Sequence, residues 1–148
     1  MSLLEKLNQD LKEAMKAKDE TRKRVLRLAL SAAKLVEVEK QEELDDAEVI
    51  GVLQKEAKSR QETIEDAEKA ERPDLIEVAK AEMAILEEYL PEGLSPEELE
   101  ALVKEVIAEV GATSMADMGK VMGAIMPKVQ GRADGGQVNQ MVRQLLQG

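Results

Sequence analysis

The chain has 148 residues, with 21 Lys plus Arg against 31 Asp plus Glu and a formal charge of −10. Cys, His, Trp and Phe are absent and Tyr89 is the only aromatic, which excludes disulfides, a thiol nucleophile, Cys/His metal sites and an imidazole base. A core must therefore be built from Leu, Ile, Val, Ala and eight Met, and with 35% charged residues and four Pro this composition reads as all-α.

The N-terminus, Met1-Ser2-Leu3-Leu4-Glu5-Lys6-Leu7, has no basic start followed by a long apolar stretch, so no signal peptide is expected. No apolar run approaches the roughly 18–20 residues that span a bilayer. A cytoplasmic protein with no membrane partner is the expectation. Ser2 with Glu5 three residues on has capping-box spacing, and Leu4, Leu7, Leu11 and Met15 make one helical stripe. A polar turn around Lys18-Asp19-Glu20 leads into a second helix with a wider apolar face, from Val25, Leu28, Ala32 and Leu35 to Val36.

Asp45-Asp46 caps a third helix. Its second half thins to Ala57, Ile64 and Ala67 among charged residues and is expected to project or lie loosely over the body. Arg72-Pro73-Asp74 interrupts it, because Pro lacks an N–H and disfavours helix at the preceding residue. A fourth helix follows, expected to face inward through Leu75, Ile76, Ala79, Met83 and Leu86.

The segment from Tyr89 to Glu98 holds Pro91, Gly93 and Pro96, and Ser95, Pro96 and Glu98 form an N-terminal capping signature. That helix should run to Gly111, a suitable C-terminal cap. A domain boundary is placed near residue 91, giving an N-terminal helical domain over 1–90 and a C-terminal bundle of three or four helices over 91–148. Over 112–148 the charge turns positive, with Lys120, Lys128, Arg132 and Arg143 against Asp117 and Asp134, a net +2. Pro127 should end or kink the helix before it. Asp134, after the turn beginning at Gly131, is the candidate cap of a last helix.

Carboxylates fall on polar helix faces, where solvation and helix dipoles explain them. Ser2, Ser95 and Ser114 read as caps, and a Ser nucleophile would lack a base, so catalysis by this chain alone is not expected. Gly119-Lys120 is followed by Val121, with no strand before it, which removes a phosphate-loop reading. Gly119 and Gly123 have the small-xxx-small spacing that lets another helix approach. Met115, Met118, Met122 and Met126 share a helical face, as core filler or as an adaptable binding surface.

The most informative charge feature lies between residues 12 and 34. Lys12, Lys16, Lys18, Arg22, Lys23, Arg24, Arg27 and Lys34 stand against Glu13, Asp19 and Glu20, a net +5. Such a patch on an acidic chain is either a footprint for phosphates or a solvated face neutralised by neighbours such as Glu37 and Glu39. With one aromatic, reading of bases by stacking is implausible, so any RNA contact would read shape and backbone.

Tyr89-Leu90-Pro91, Asp117-Met118-Gly119-Lys120-Val121-Met122-Gly123, Met126-Pro127-Lys128 and Gly131-Arg132-Ala133-Asp134-Gly135 together resemble the YqeY-like family. The resemblance covers essentially the whole chain and extends to the tail domain of the B subunit of the tRNA-dependent aspartyl/glutamyl amidotransferase. It implies a helical, non-catalytic tRNA-binding module, accessory to glutamine-dependent carbon–nitrogen ligation and without the catalytic body, ATP site or metal of the amidotransferase. No cofactor is implied. Carried onto this chain, it makes Lys120 the candidate phosphate contact, with Lys128 and Arg132 flanking. Gly119, Gly123, Met126, Gly131 and Asp134 become motif or packing positions. Arg22, Lys23, Arg27 and Lys34 form a possible second RNA surface. The alternative is a protein–protein adaptor, docking the amidotransferase or another protein through the Met-lined helical surface.

Overall fold

The structure, a computed structural model, describes residues 1–147 and is all-helical: α1 (Leu3–Ala17), α2 (Glu20–Lys40), α3 (Asp46–Lys69), α4 (Pro73–Glu87), α5 (Pro96–Val110), a 3₁₀ turn (Met115–Asp117), α6 (Met118–Val129) and α7 (Gly135–Gln147). The chain divides into two compact units, Met1–Leu90 and a second beginning at Pro91.

In the first unit the capping chemistry sets the helix starts. Ser2 and Glu5 close a reciprocal capping box on α1, and Asp45 and Glu48 close one on α3. Asp46 also accepts from the Leu3 backbone N–H at 2.9 Å, tying the start of α1 to the start of α3. Lys18, Gln41 and Glu71 lie past helix ends at φ of 57°, 60° and 54°, left-handed positions that Gly would occupy without strain. Leu7, Val25, Leu26, Ala29, Val49, Leu53 and Leu86 form the centre of the core.

Three expectations for this unit need correction. The second half of α3 does not lie loosely: Ile64 and Ala67 are buried, and α3 packs along α4 as a hairpin, with Ala79 buried on the α4 side. Leu28 and Leu35 of α2 are 46% and 64% exposed, because the buried arc of that helix is narrower than its apolar arc. On α4, Leu75 is exposed, while Glu82 and Ile85 are buried in its place.

In the second unit Ser95 Oγ accepts from the Glu98 N–H at 3.1 Å, and Gly111 ends α5 at φ 69°. Val103, Val106, Val121, Ile125, Val129, Val138 and Val142 are fully buried, so α5, α6 and α7 enclose a core of β-branched side chains. Pro127 does not end α6, which continues to Val129. The bond it forfeits would have reached Gly123, four residues back, and only the last half-turn follows it. The Met stripe divides: Met118 and Met122 pack on the core, while Met115 and Met126 remain 37% exposed.

Candidate nucleic-acid interface

The α1–α2 hairpin gathers the N-terminal cations. Its turn is fixed at Lys18, and Asp19 caps α2 by accepting from the Arg22 N–H at 3.1 Å. Carboxylates hold much of the cluster. Arg22 donates to Glu88 at 2.7 Å, a bond that keeps its guanidinium firmly charged, and it also faces Asp19 at 3.6 Å. Lys23 pairs with Glu20 at 3.0 Å, Arg24 with Glu82 at 2.9 Å, and Lys34 with Glu37 only at a long 3.8 Å. Lys12, Lys16, Lys18 and Arg27 are exposed and make no ion pair among the described residues. Arg27 instead lies 3.6 Å from the Met15 sulfur, a contact that spans α1 and α2.

The C-terminal cations are brought together only in part. Lys120 is exposed in the first turn of α6, where its charge helps hold the Asp117 carboxyl below the usual carboxylate range after the larger effect of the Thr113 N–H. Lys128 is paired with Glu109 at 3.2 Å. Arg132 is a clamp: its Nε donates to the Glu92 carbonyl at 3.0 Å, and its own carbonyl accepts from the Leu94 N–H at 2.9 Å. Gly131 supplies the φ of 77° that this turn requires. Asp134 immediately precedes α7; its carbonyl accepts from the Val138 N–H, and a Cβ on Gly136 would lie 3.1 Å from its Oδ2. Gly119 and Gly123 are not packing positions within the chain, since a Cβ at either would meet nothing within 4 Å.

Two further arrangements gave no signal in the sequence. Glu82, only 9% exposed, accepts from Arg24 Nη2 at 2.9 Å and Arg60 Nε at 2.7 Å, joining α2, α3 and α4. Tyr89 donates to Asp10 at 2.5 Å, with the Lys6 ammonium 5.6 Å over its ring. Burial, then the bond to Asp10, push the Tyr89 phenol well above its ordinary value, and the phenol in turn lowers the Asp10 carboxyl. A cleft of about 320 Å³ in the second unit is lined by Gln137, Gln140 and Gln144 opposite Leu94, Pro96 and Leu99. Among the described residues no cluster of three or more carboxylates is placed to hold a metal ion.

The sequence model of the family described as "Yqey-like protein" matches residues 4–146. The chain belongs to the YqeY-like family. Among its relatives, "Altered inheritance of mitochondria protein 41, mitochondrial" of Kluyveromyces lactis is 38% identical over 108 residues, covering 70% of this chain and 58% of the relative. The protein of that name in Pyrenophora tritici-repentis is 31% identical over 137 residues, covering 88% and 73%. The YqeY-like chain thus spans less than two thirds of the first relative's length and about three quarters of the second's. A shorter match, 41% identical over 58 residues, is to the E-type component of the glutamyl-tRNA(Gln) amidotransferase of Thermococcus gammatolerans, covering 36% of this chain and 9% of that protein. The relation to the amidotransferases is therefore met in the E-type component. The expectation of a cytoplasmic protein is overturned, because the fungal relatives are named as mitochondrial proteins. That expectation rested on the first residues of the chain and on the lack of a long apolar run.

Proposed function

We propose that this YqeY-like chain is a non-catalytic module that binds tRNA through its phosphate backbone, alone or beside an amidotransferase. The observation that carries the reading is the α1–α2 hairpin, where Lys12, Lys16, Lys18 and Arg27 stand exposed without a carboxylate partner among the described residues, on a chain of net charge −10. The kinship with a protein named for Glu-tRNA(Gln) supplies the choice of RNA. Lys120 is the corresponding contact in the second unit. Lys128 would first have to leave Glu109, and Arg132 serves the turn that holds Glu92 and Leu94.

The experiment is a titration of fluorescent bulk tRNA at two salt concentrations, with unstructured RNA of equal length as control. Binding that prefers folded tRNA and weakens with salt is expected, and each cation removed should lower the log–log salt slope by about 1. Lys12→Glu with Lys16→Glu should reduce affinity more than Lys120→Glu, with unchanged helicity. No binding at low salt would end this reading. A second reading, docking of a protein helix on α6, is favoured by the open positions at Gly119 and Gly123 together with exposed Met115 and Met126. Capture of a partner that withstands nuclease and moderate salt would support it.

A further inference from the structure

The cleft between α7 and the start of α5 has a lining of mixed chemistry. Gln137, Gln140 and Gln144 recur at spacings of three and four, so α7 turns one row of amides into it. Leu94, Pro96 and Leu99 form the facing wall. None of the three side-chain amides has a hydrogen-bond partner among the described residues. Although 35% of the chain is charged, no charged side chain among the described residues lines this cleft. Its volume of about 320 Å³ lies at the small end of ligand sites.

Such a lining suits a small neutral ligand with a hydrogen-bonding edge and an apolar face. A charged ligand would leave water there without a counter-charge. Nucleobases have the required form, and the pairing rules of their edges choose among them. Guanine is taken by Arg or Lys and cytosine by Glu or Asp, none of which lines the cleft. Adenine is the base whose N6 and N7 one Gln amide meets, donating and accepting at once. We propose that the cleft binds an adenine nucleoside, presented by RNA as an unpaired base. The amides span about 10 Å along α7, more than one base edge, so a neighbouring Gln is available to the ribose 2′-hydroxyl. Leu94, Pro96 and Leu99 cover the face of the base, as apolar side chains do for extruded bases. The shortage of aromatics removes stacking but leaves this edge contact open. The proposal rests on the tRNA reading for the source of the base, and adds a base contact to the backbone contacts.

Adenosine, a neutral nucleoside without phosphate, probes the cleft apart from the cations. It is titrated into the full chain with isotope-labelled methionine methyls, because Met141 also lines the cleft. The Met141 resonance should shift with a Kd of about 1 mM or below, while exposed Met115 stays still. Uridine should bind about fivefold or more weakly. Gln140→Leu, at the exposed central position, should weaken adenosine by a similar factor with unchanged helicity. With no counterion released, the shift should be indifferent to salt and to Lys12→Glu with Lys16→Glu. A short uridine strand with one central adenosine should move Met141 and outbind the all-uridine strand. A still Met141 resonance would overturn the proposal even where tRNA binds. So would equal responses to adenosine and uridine, or an unaltered Gln140→Leu. Adenosine binding without preference for the adenosine-bearing strand would overturn RNA as the source. A shift produced by a blocked neutral peptide and not by adenosine would assign the cleft to a polypeptide instead. The tRNA reading falls separately, on the absence of salt-dependent tRNA binding.

Discussion

Glu82→Gln is the most direct test of what holds the first unit together. Glu82 is nearly buried and receives two charge-assisted bonds, from Arg24 at 2.9 Å and Arg60 at 2.7 Å. Breaking a buried pair by removing one charge costs about 3–5 kcal/mol. The two arginines differ, however. The Arg24 side chain is 50% exposed and can rehydrate, so its share is that of a surface pair, ~0.5 kcal/mol. Arg60 is 13% exposed and would keep only Glu56 at 3.3 Å, leaving most of the penalty there. A net loss of about 2–3 kcal/mol follows, or ~10–20 °C in the melting temperature of a 90-residue unit. Tyr89, the only aromatic and a residue of this unit, reports its melting by fluorescence with no signal from the second unit. The companion Arg60→Met with Glu82→Leu should recover most of the loss, since apolar replacement of both partners is often neutral. A Glu82→Gln midpoint within about 2 °C of wild type, less than ~0.5 kcal/mol, would refute the reasoning.

Tyr89 should titrate by ultraviolet absorbance with a midpoint above the free-tyrosine value of about 10. Asp10→Asn should lower that midpoint without normalising it, because burial is the larger cause. Since folding favours the protonated phenol, this contribution to stability is complete below pH ~10 and is lost as pH rises toward the folded value. A wild-type midpoint at or below the free value would contradict the bond to Asp10. Gly131→Ala, at φ 77°, should destabilise the second unit by about 1–2 kcal/mol, read from the far-ultraviolet melt. Lys18→Gly should instead stabilise the first unit by up to ~1 kcal/mol, because φ 57° is a strained value for Lys.

Local signals in the sequence were read well where the physics is local. Ser2 with Glu5, Ser95 with the Glu98 N–H, Asp45 and Gly111 act over three or four residues, and each sits at the helix end its type demands. Apolar periodicity marked every helix but overstated the buried arc of α2, since Leu28 and Leu35 repeat like core residues while facing solvent. Glu82 was illegible because it lies in a chain rich in solvated carboxylates, and its partners stand 58 and 22 residues away. The candidate site was legible as a composition, eight cations in 23 residues, but not as a geometry. Which cations are neutralised depends on Glu82 of α4 and on Glu88 just past its end. Arg132 likewise reads as a surface cation until the fold places Glu92 and Leu94 beside it.

The α3–α4 hairpin has an uneven grip on the rest of its unit. No residue between Ala57 and Ile85 joins the main core cluster, and the far end is secured by Ile64, Ala67, Ala79 and the Glu82 bridge. That end can open while Leu7, Leu26 and Leu53 stay packed, so its amides should exchange with solvent by a local opening of lower free energy than global unfolding. Deuterium uptake in native buffer would then grade along α3, slow near Leu53 and fast past Ile64. The segment that exchanges first is also strongly acidic, with seven Asp and Glu against Lys69 and Arg72 over residues 62–77, a net −5. Any contact that engages it, in this chain or in a complex, would appear as protection there before the rest of the unit changes.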